Sequence, residues 1–272
     1  MLRKGLVIYE PKGRAGEYSP LALNLYKGCG HGCIYCYAPD ATFTDREKFK
    51  EASPRPNIIK RLLTDAPKAA ADGATGNVLL CFTCDAYQPI DDMHQLARQA
   101  IQILHENGFG VTILTKGGAR AYRDFDLLGP GDQFATTLTF LDQKRSLEWE
   151  PGAATPAERV ASLRHAHELG IETWASLEPV MDPAEAIKII RHTHEFVDLF
   201  KIGKINYTGK LPDHLKAQVK EIDWRQFARD VISELEKLGS KYYLKNDLKA
   251  HISDLEGLGS KNYLKNDRRT YL

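Results

Sequence analysis

The sequence predicts an α/β fold in which about six strand–helix units form a parallel sheet covered by helices. Three observations predict it. From residue 75 onward, short apolar runs alternate with amphipathic stretches, which is typical of βαβ units. Two of the helices begin with strong N-terminal signals. No shift in composition suggests a second domain. Six units fit an open or incomplete barrel better than a closed eight-stranded one, and a doubly wound sheet is the alternative with the same periodicity.

The predicted strands are short apolar runs bounded by turn residues, a pattern of buried strands. They cover residues 22–26, 77–83, 111–115, 134–140, 171–177 and 197–205. Between them, helical spacing of apolar residues predicts helices at 57–71, 91–107, 121–128 and 224–238.

Two further helices are predicted from their start signals. Thr155 and Glu158 form a capping box, with Pro156 at the first helical position, and Gly170 ends that helix. Asp182 and Pro183 repeat the arrangement with aspartate as the cap.

Composition indicates an ordinary globular chain. The 272 residues are 43% hydrophobic, and 37 Lys and Arg against 36 Asp and Glu give a formal net charge of +1. That balance provides no global attraction to nucleic acid or to an anionic membrane. The longest apolar runs are too short to cross a bilayer or to form a signal-peptide core, so a cytoplasmic protein without membrane partners is expected.

The two ends of the chain differ from its centre. Residues 1–20 are rich in Gly and Pro and resemble an arm that crosses the mouth of the barrel, which is expected to span residues 21–240. Residues 241–272 are expected to be a C-terminal extension. The segment LGSKYYLKND at 238–247 returns as LGSKNYLKND at 258–267, and two copies are too few for a solenoid.

The five cysteines all lie in the first third of the chain, at positions 29, 33, 36, 81 and 84. Cys29, Cys33 and Cys36 have the spacing Cys-x3-Cys-x2-Cys within CGHGCIYC, and neighbouring glycines let the backbone fold tightly around a metal centre. Three thiolates on a [4Fe–4S] cluster leave one iron open to a further ligand. The spacing therefore predicts a catalytic metal centre.

The segment LNLYKGCGHGCIYCYAP resembles the cluster motif of the radical S-adenosylmethionine (SAM) superfamily, in which the residue before the last cysteine is commonly aromatic, as Tyr35 is here. The later segments TCDAYQP and ILTK resemble the branch that includes spore photoproduct lyase. The resemblance covers most of residues 20–205. It implies a partial (β/α)6 TIM-like barrel in a single domain, with the cluster on the loop after the first strand.

The resemblance also implies cofactors and chemistry. SAM would bind the open iron of the [4Fe–4S] cluster, beside Tyr35. One electron from a reductant such as flavodoxin or ferredoxin would then cleave SAM to a 5′-deoxyadenosyl radical, which abstracts hydrogen from the substrate. A zinc knuckle with His31 as fourth ligand and a closed site completed by Cys81 are the structural alternatives.

Residues that follow the strands are the other site candidates, because working residues of parallel barrels collect there. Asp85 lies where the family commonly holds the SAM amino group with a Gly-Gly-Glu segment, although this chain has Thr-Cys-Asp at 83–85. Lys116 matches a lysine that pairs with the SAM carboxylate in relatives. Alternate residues of a strand share a face, so Thr137 and Thr139 lie on the same side of the predicted strand. They are candidates to bind the ribose hydroxyls of SAM.

Two further candidates follow from charge and from thiol chemistry. Glu178 comes after the fifth predicted strand, and a charge in a buried run usually has a partner, so it is expected to pair with Lys201 or Lys204. Cys84 is the candidate to return a hydrogen atom to the product radical, as a cysteine does in spore photoproduct lyase. Cys81, inside an apolar run, is expected to be a core residue.

These features predict a radical SAM enzyme that acts on a small molecule or peptide. A nucleic-acid lesion lyase is the alternative that the branch suggests, with five lysines in residues 201–220 in its favour and the net charge of +1 against it. A non-catalytic metal-binding protein is the alternative of another class.

Overall fold

The structure, a computed structural model, describes residues 2–252. Its strands are β1 (Leu21–Leu23), β2 (Tyr26–Lys27), β3 (Ser53–Pro54), β4 (Asn77–Leu80), β5 (Gly110–Thr115), β6 (Gln133–Thr137), β7 (Glu172–Val180), β8 (Leu199–Lys204) and β9 (Lys241–Leu244). The second copy of the LGSKxYLKND repeat lies outside the described residues.

The helices lie mostly between consecutive strands. They are α1 (Ala38–Ala41), α2 (Arg46–Phe49), α3 (Ile58–Ala71), α4 (Asp91–His94), α5 (Leu96–Glu106), α6 (Gln143–Trp149), α7 (Pro156–Glu168), α8 (Pro183–Thr193), α9 (Asp213–Val219), α10 (Trp224–Lys237) and α11 (Asn246–Lys249). Short 3₁₀ helices occupy Gly13–Glu17, Gly118–Leu127, Thr208–Lys210 and Ala250–Ile252. Across residues 2–252, no helix combines the length and the apolar character that crossing a bilayer requires.

Seven strands form one sheet in the order β1-β4-β5-β6-β7-β8-β9. All neighbouring pairs in it are parallel, and β2 and β3 form a separate antiparallel pair. The predicted α/β fold with a parallel sheet is confirmed. Because the sheet runs in sequence order from one edge to the other, it is not the doubly wound alternative, and β1 and β9 are its two edges.

The seventh strand, β9, was not predicted. The sequence predicts an extension outside the barrel for residues 241–272. In the structure, all four residues of β9, Lys241–Leu244, pair with Leu199–Ile202 of β8. The side chains of Tyr242, Tyr243 and Leu244 are buried, and this burial draws the first copy of the repeat into the sheet.

The two faces of the sheet have different surroundings. Side chains such as those of Val78, Leu80, Val111 and Ile113 point to the face covered by α3 and α5, in the main hydrophobic core. Their neighbours in sequence point to the other face, where Leu79 lines a cavity. Strand alternation thus separates residues that stabilise the fold from residues available to a ligand.

Several predicted elements change at their ends. The first strand ends at Leu23 instead of residue 26, and the predicted strand at 134–140 ends at Thr137. The predicted helix at 91–107 is divided at Gln95, which adopts a left-handed backbone with φ of 48°. The division has a local cause, because the Asp91 carboxylate accepts hydrogen bonds from the backbone N–H groups of residues 96 and 97 and so caps α5.

The predicted helix starts are confirmed. Thr155 and Glu158 form the complete capping box of α7, and Asp182 accepts hydrogen bonds from the first N–H groups of α8. The amphipathic stretch near 121–128 forms the 3₁₀ helix Gly118–Leu127 instead of an α-helix.

The N-terminal arm connects the two edges of the sheet. Tyr9 forms an antiparallel bridge with Ala22 of β1. At the other edge, the buried Glu17 carboxylate accepts hydrogen bonds from the Tyr243 hydroxyl at 2.9 Å and from the Asn246 N–H at 3.1 Å. The arm therefore crosses the gap between β1 and β9.

Candidate functional site

A cavity of about 550 Å³ lies at the C-terminal ends of the strands. Most of the strands contribute to its wall, as expected for the working end of a parallel barrel. The side chains that line it include Tyr18, Cys29, His31, Cys33, Tyr35, Cys36, Tyr37, Cys81, Cys84, Asp85, Lys116, Thr137, Glu178, Lys204, Tyr207 and Lys245.

The cavity brings the three motif cysteines together on one loop. Cys29, Cys33 and Cys36 all line it. The loop turns tightly because Gly28 and Gly32 take positive φ values of 76° and 61°. A Cβ on Gly28 would lie 2.5 Å from the carbonyl oxygen of Phe49, so only glycine fits there.

Contacts from outside the loop fix its backbone. The buried Gln88 amide accepts from Gly30 N–H at 2.8 Å and donates to the Gly28 carbonyl at 3.4 Å. The N–H of Cys29 donates to the carbonyl of Phe49, and that of Gly152 donates to the carbonyl of His31. The loop is therefore held in shape by the protein alone.

Burial controls the chemistry of the three thiols. It raises the pKa of Cys33 to about 12, although the Lys116 ammonium opposes the rise. Burial likewise raises the pKa of Cys29 and of Cys36. A bound metal cation stabilises thiolates in such surroundings, so this donor set fits a metal cluster that supplies its own positive charge.

His31 lies between the first two cysteines and is almost fully buried. Its Nδ1 is 3.4 Å from the Asp85 carboxylate, so one ring nitrogen faces a carboxylate and not the thiols that a zinc knuckle would require. Its Nε2 is buried and has no hydrogen-bond partner among the described residues. A polar group bound in the cavity would satisfy that atom.

The Asp85 carboxylate accepts hydrogen bonds from other groups of the protein. Its oxygens accept hydrogen bonds from the Thr115 hydroxyl at 2.6 Å, from Lys116 N–H at 2.7 Å and from Tyr87 N–H at 2.9 Å. Burial alone would raise the pKa of Asp85, but His31 and these hydrogen bonds hold it below its ordinary value. Asp85 therefore joins the end of β4 to the end of β5 and places Lys116.

Lys116 reaches the cavity near Tyr35, with its ammonium 5.8 Å from the centre of that ring. Burial would lower the pKa of Lys116, yet Cys33, Glu150 and Asp85 raise it above its ordinary value. The lysine therefore stays cationic beside the three thiols, where it can pair with a carboxylate.

A buried ion pair behind the motif was missed in the sequence. Glu150 and Arg159 are both fully buried, 2.7 Å apart. The Tyr35 hydroxyl donates to Glu150, so this pair fixes the aromatic residue of the motif. Glu150 follows α6 and Arg159 lies in α7, and neither has a motif that could have identified it.

The two threonines separate. Thr137 ends β6 and lines the cavity. Thr139 lies beyond the strand, and its hydroxyl donates to Glu150 at 3.1 Å. The two threonines were expected to share a strand face, but β6 ends at Thr137, so the alternation of side chains does not extend to Thr139.

Glu178 pairs with a lysine, but not with either predicted one. Its carboxylate lies 3.4 Å from the ammonium of Lys245 and accepts a hydrogen bond from the Tyr18 hydroxyl. Lys201 instead donates to the Tyr18 carbonyl at 3.2 Å, and Lys204 lies 3.2 Å from Nε2 of His251. Lys245 follows the unpredicted strand β9, which explains why it was not considered as the partner.

The remaining two cysteines share the cavity wall. Cys84 is partly exposed. Cys81 belongs to the core as predicted, with 5% of its surface exposed, but it also lines the cavity. It takes a left-handed φ of 74°, a conformation that is uncommon for a residue with a side chain.

Comparison with known proteins gives a family. The Radical SAM superfamily model matches residues 23–197. An uncharacterized protein of Methanocaldococcus jannaschii is 26% identical over 188 residues, which are 68% of this chain and 70% of the relative. An uncharacterized protein of Mycobacterium tuberculosis is 26% identical over 169 residues, and the match spans 49% of its length.

Solved structures share the fold. A spore photoproduct lyase variant with bound AdoMet and dinucleoside spore photoproduct has a TM-score of 0.67 at 13% identity, covering 90% of this chain and 80% of that one. SuiB of Streptococcus suis, bound to its precursor peptide SuiA, has a TM-score of 0.63 at 14% identity, covering 86% of this chain and 51% of that one. Both proteins have the architecture described above.

Proposed function

The chain belongs to the radical SAM superfamily, and we propose that it binds a [4Fe–4S] cluster and SAM in its central cavity and abstracts hydrogen from a small-molecule or peptide substrate. One observation carries the proposal. Cys29, Cys33 and Cys36 all line one cavity, together with His31 and with Lys116, whose ammonium stays charged. Three cysteine ligands leave one iron of such a cluster open to SAM.

Residues of the chain have distinct proposed roles around the cofactors. Cys29, Cys33 and Cys36 hold the cluster. Lys116 pairs with the SAM carboxylate, since its ammonium stays charged beside the thiols. Thr137 is proposed to contact the ribose from the end of β6. Asp85 acts as a positioning residue for Lys116 and His31, because its oxygens are already used by the protein.

When bound, the reduced cluster supplies the electron that cleaves SAM to methionine and a 5′-deoxyadenosyl radical, and a flavodoxin or ferredoxin is the proposed electron donor. The protein orients the substrate and excludes water. Tyr18, Glu178 and Lys245 form the wall farthest along the sheet, where substrate is proposed to bind. Cys84 has a thiol on the same cavity and is the proposed hydrogen donor to a product radical.

The proposal is tested by anaerobic reconstitution with iron and sulfide, followed by reduction in the presence of SAM. We expect a brown protein that releases 5′-deoxyadenosine. Cys33→Ala should lose iron and 5′-deoxyadenosine release together, whereas Lys48→Gln, an exposed change outside the proposed site, should keep both. A colourless protein that binds zinc and leaves SAM intact would support the non-catalytic metal-binding alternative.

The substrate class needs a second experiment. Candidate small molecules and peptides carrying deuterium are supplied with SAM, and the substrate is identified by deuterium in the released 5′-deoxyadenosine. Lys116→Met should raise the SAM concentration needed for half-maximal cleavage while leaving the iron content unchanged.

A nucleic-acid lesion lyase is the second candidate. Tyr37 and Tyr207 line the cavity with 38% and 67% of their surfaces exposed, and exposed aromatic rings stack on extruded bases. SAM-dependent repair of a photodamaged oligonucleotide would establish it, and the near-neutral net charge makes it the less favoured one.

A further inference from the structure

One arginine contacts the carbonyl groups of the cysteine loop at three points. The Arg46 guanidinium donates to the carbonyl of Cys36 at 2.8 Å, to that of Ile34 at 3.1 Å and to that of Cys33 at 3.3 Å. A planar guanidinium can bind several acceptors at once in a fixed geometry. Arg46 therefore spans the second half of the loop, from the second motif cysteine to the third.

The short helix α2 fixes Arg46 in turn. Asp45 caps this helix by accepting hydrogen bonds from the N–H groups of residues 47 and 48. At its other end, the carbonyl of Phe49 accepts a hydrogen bond from the N–H of Cys29 at 2.8 Å. The same four-residue helix thus holds the first motif cysteine through its backbone and the other two through Arg46.

Arg46 also brings a positive charge to the loop, which acts as well on the Asp40 carboxylate that Lys210 binds. Its hydrogen bonds within residues 2–252 go to carbonyl groups, and it forms no ion pair with a carboxylate there. The charge lies beside the third motif cysteine, because the guanidinium is 2.8 Å from the Cys36 carbonyl oxygen. A positive charge at this place favours added negative charge on whatever the thiols bind.

We propose that Arg46 is a positioning residue with two effects: it holds the cysteine loop in its binding shape before any metal arrives, and it favours the reduced form of the bound cluster. The second effect rests on the proposed function. The first does not, because the contacts it depends on join protein groups to one another.

The first effect is tested on the cluster-free protein by hydrogen exchange. Arg46→Lys keeps the charge, but an ammonium cannot bridge three separated carbonyls. Arg46→Gln removes both the positive charge and the planar guanidinium. We expect backbone amides in residues 29–36 to exchange about tenfold faster in both variants. A change of that size corresponds to the loss of at least one net hydrogen bond. Lys48→Gln, an exposed change in the same helix, should leave exchange unchanged.

The second effect is tested by redox titration of the reconstituted protein followed by electron paramagnetic resonance. Arg46→Gln should have a more negative midpoint potential than the parent, since the reduced cluster loses a nearby positive charge. Arg46→Lys should stay close to the parent potential.

Each effect fails separately. Unchanged amide exchange in both Arg46 variants would overturn the positioning role, and an unchanged potential in Arg46→Gln would overturn the electrostatic one. If Arg46→Gln does not fold, Arg46→Lys still tests both effects. Unchanged amide exchange in Arg46→Lys would overturn the positioning role, and a shifted midpoint potential would contradict the electrostatic one. Failure of the proposed function is a different result, in which the parent itself takes up no iron.

Discussion

Glu178 and Lys245 meet on the cavity wall with their charged groups 3.4 Å apart, although β8 separates their two strands in the sheet. Tyr18 from the N-terminal arm completes the contact. Its hydroxyl donates to Glu178, and the Lys245 ammonium lies 3.8 Å from the centre of its ring. The three side chains come from the arm, from β7 and from the segment after β9, so they join the arm to the end of the sheet formed by β7, β8 and β9.

Replacing Glu178 should change how stability depends on pH. Burial raises the pKa of Glu178, and Lys245 only partly reverses the rise. The folded state therefore keeps its proton to a higher pH than the unfolded state, so this group's contribution to the free energy of unfolding falls as the pH rises from the ordinary carboxyl range through the raised value. In Glu178→Gln that fall should disappear.

The measurement is urea unfolding of the parent and of Glu178→Gln between pH 4 and pH 8 (about the range in which a raised carboxyl pKa acts). Glu234→Gln is the control, because Arg191 lowers the pKa of that carboxyl. Its contribution to stability is complete above the ordinary carboxyl pKa, so the difference between parent and variant should stay nearly constant across this range. Parallel curves for the parent and Glu178→Gln would contradict the prediction.

Breaking the ion pair behind the cysteine loop should cost more stability than breaking a surface pair. Arg159→Met leaves Glu150 charged and buried, and removal of one partner of a buried pair costs about 3–5 kcal/mol. Arg191→Met breaks the Arg191–Glu234 pair, whose arginine is 59% exposed, and such pairs contribute about 0–1 kcal/mol.

Both variants are compared with the parent by urea unfolding at pH 7. Equal losses would mean that the Glu150–Arg159 pair is solvated in a way that its burial does not indicate.

The buried Lys201 predicts a pH dependence of the opposite sign. Burial, with the nearby Lys245 charge, lowers the pKa of Lys201 to about 7. Between that value and the ordinary lysine pKa, the unfolded state binds more protons than the folded state, so this group's contribution makes stability rise with pH. Lys201→Met lacks the contribution.

Relative to the parent, Lys201→Met should therefore be most stable below pH 7 and lose that advantage as the pH is raised towards 10. The difference in the free energy of unfolding between the two proteins is measured over this range. The ammonium also lies 4.2 Å from the centre of the Trp174 ring, and the loss of that contact affects the difference at low pH, where the lysine is charged. A difference that is constant with pH would rule out the lowered pKa.

The features that the sequence predicted well are those set by neighbouring residues. The capping box at Thr155 and Glu158 needs only four consecutive positions, and the cysteine spacing of the loop needs eight. Strand alternation likewise made Thr137 a candidate for the inward face, and it lines the cavity. It did not extend to Thr139, because the end of β6 depends on where β7 stops pairing with it.

The features that were missed depend on residues far apart in the chain. Glu150 has no signal of its own, and its charge is explained only by Arg159 of the following helix. The strand β9 is four residues long and, within residues 2–252, pairs only with β8, so its sequence gives little to distinguish it from an extension. The sequence suggests that Tyr242, Tyr243 and Lys245 close one side of the mouth, but without β9 it does not indicate that Lys245 pairs with Glu178.

Gly28→Ala should disturb the cysteine loop more than an equivalent change elsewhere. Gly28 and Gly73 both take positive φ values, 76° and 81°, so alanine at either position carries a backbone cost of about 1–2 kcal/mol. Only at Gly28 would the new Cβ also meet the chain, 2.5 Å from the Phe49 carbonyl oxygen, whereas nothing lies within 4 Å at Gly73. That carbonyl is the acceptor for Cys29 N–H, so relief of the clash must move the first motif cysteine.

Gly28→Ala should therefore lose more stability than Gly73→Ala in urea unfolding, and on anaerobic reconstitution it alone should take up less iron. Equal stability losses together with equal iron contents would show that the loop tolerates displacement of Cys29.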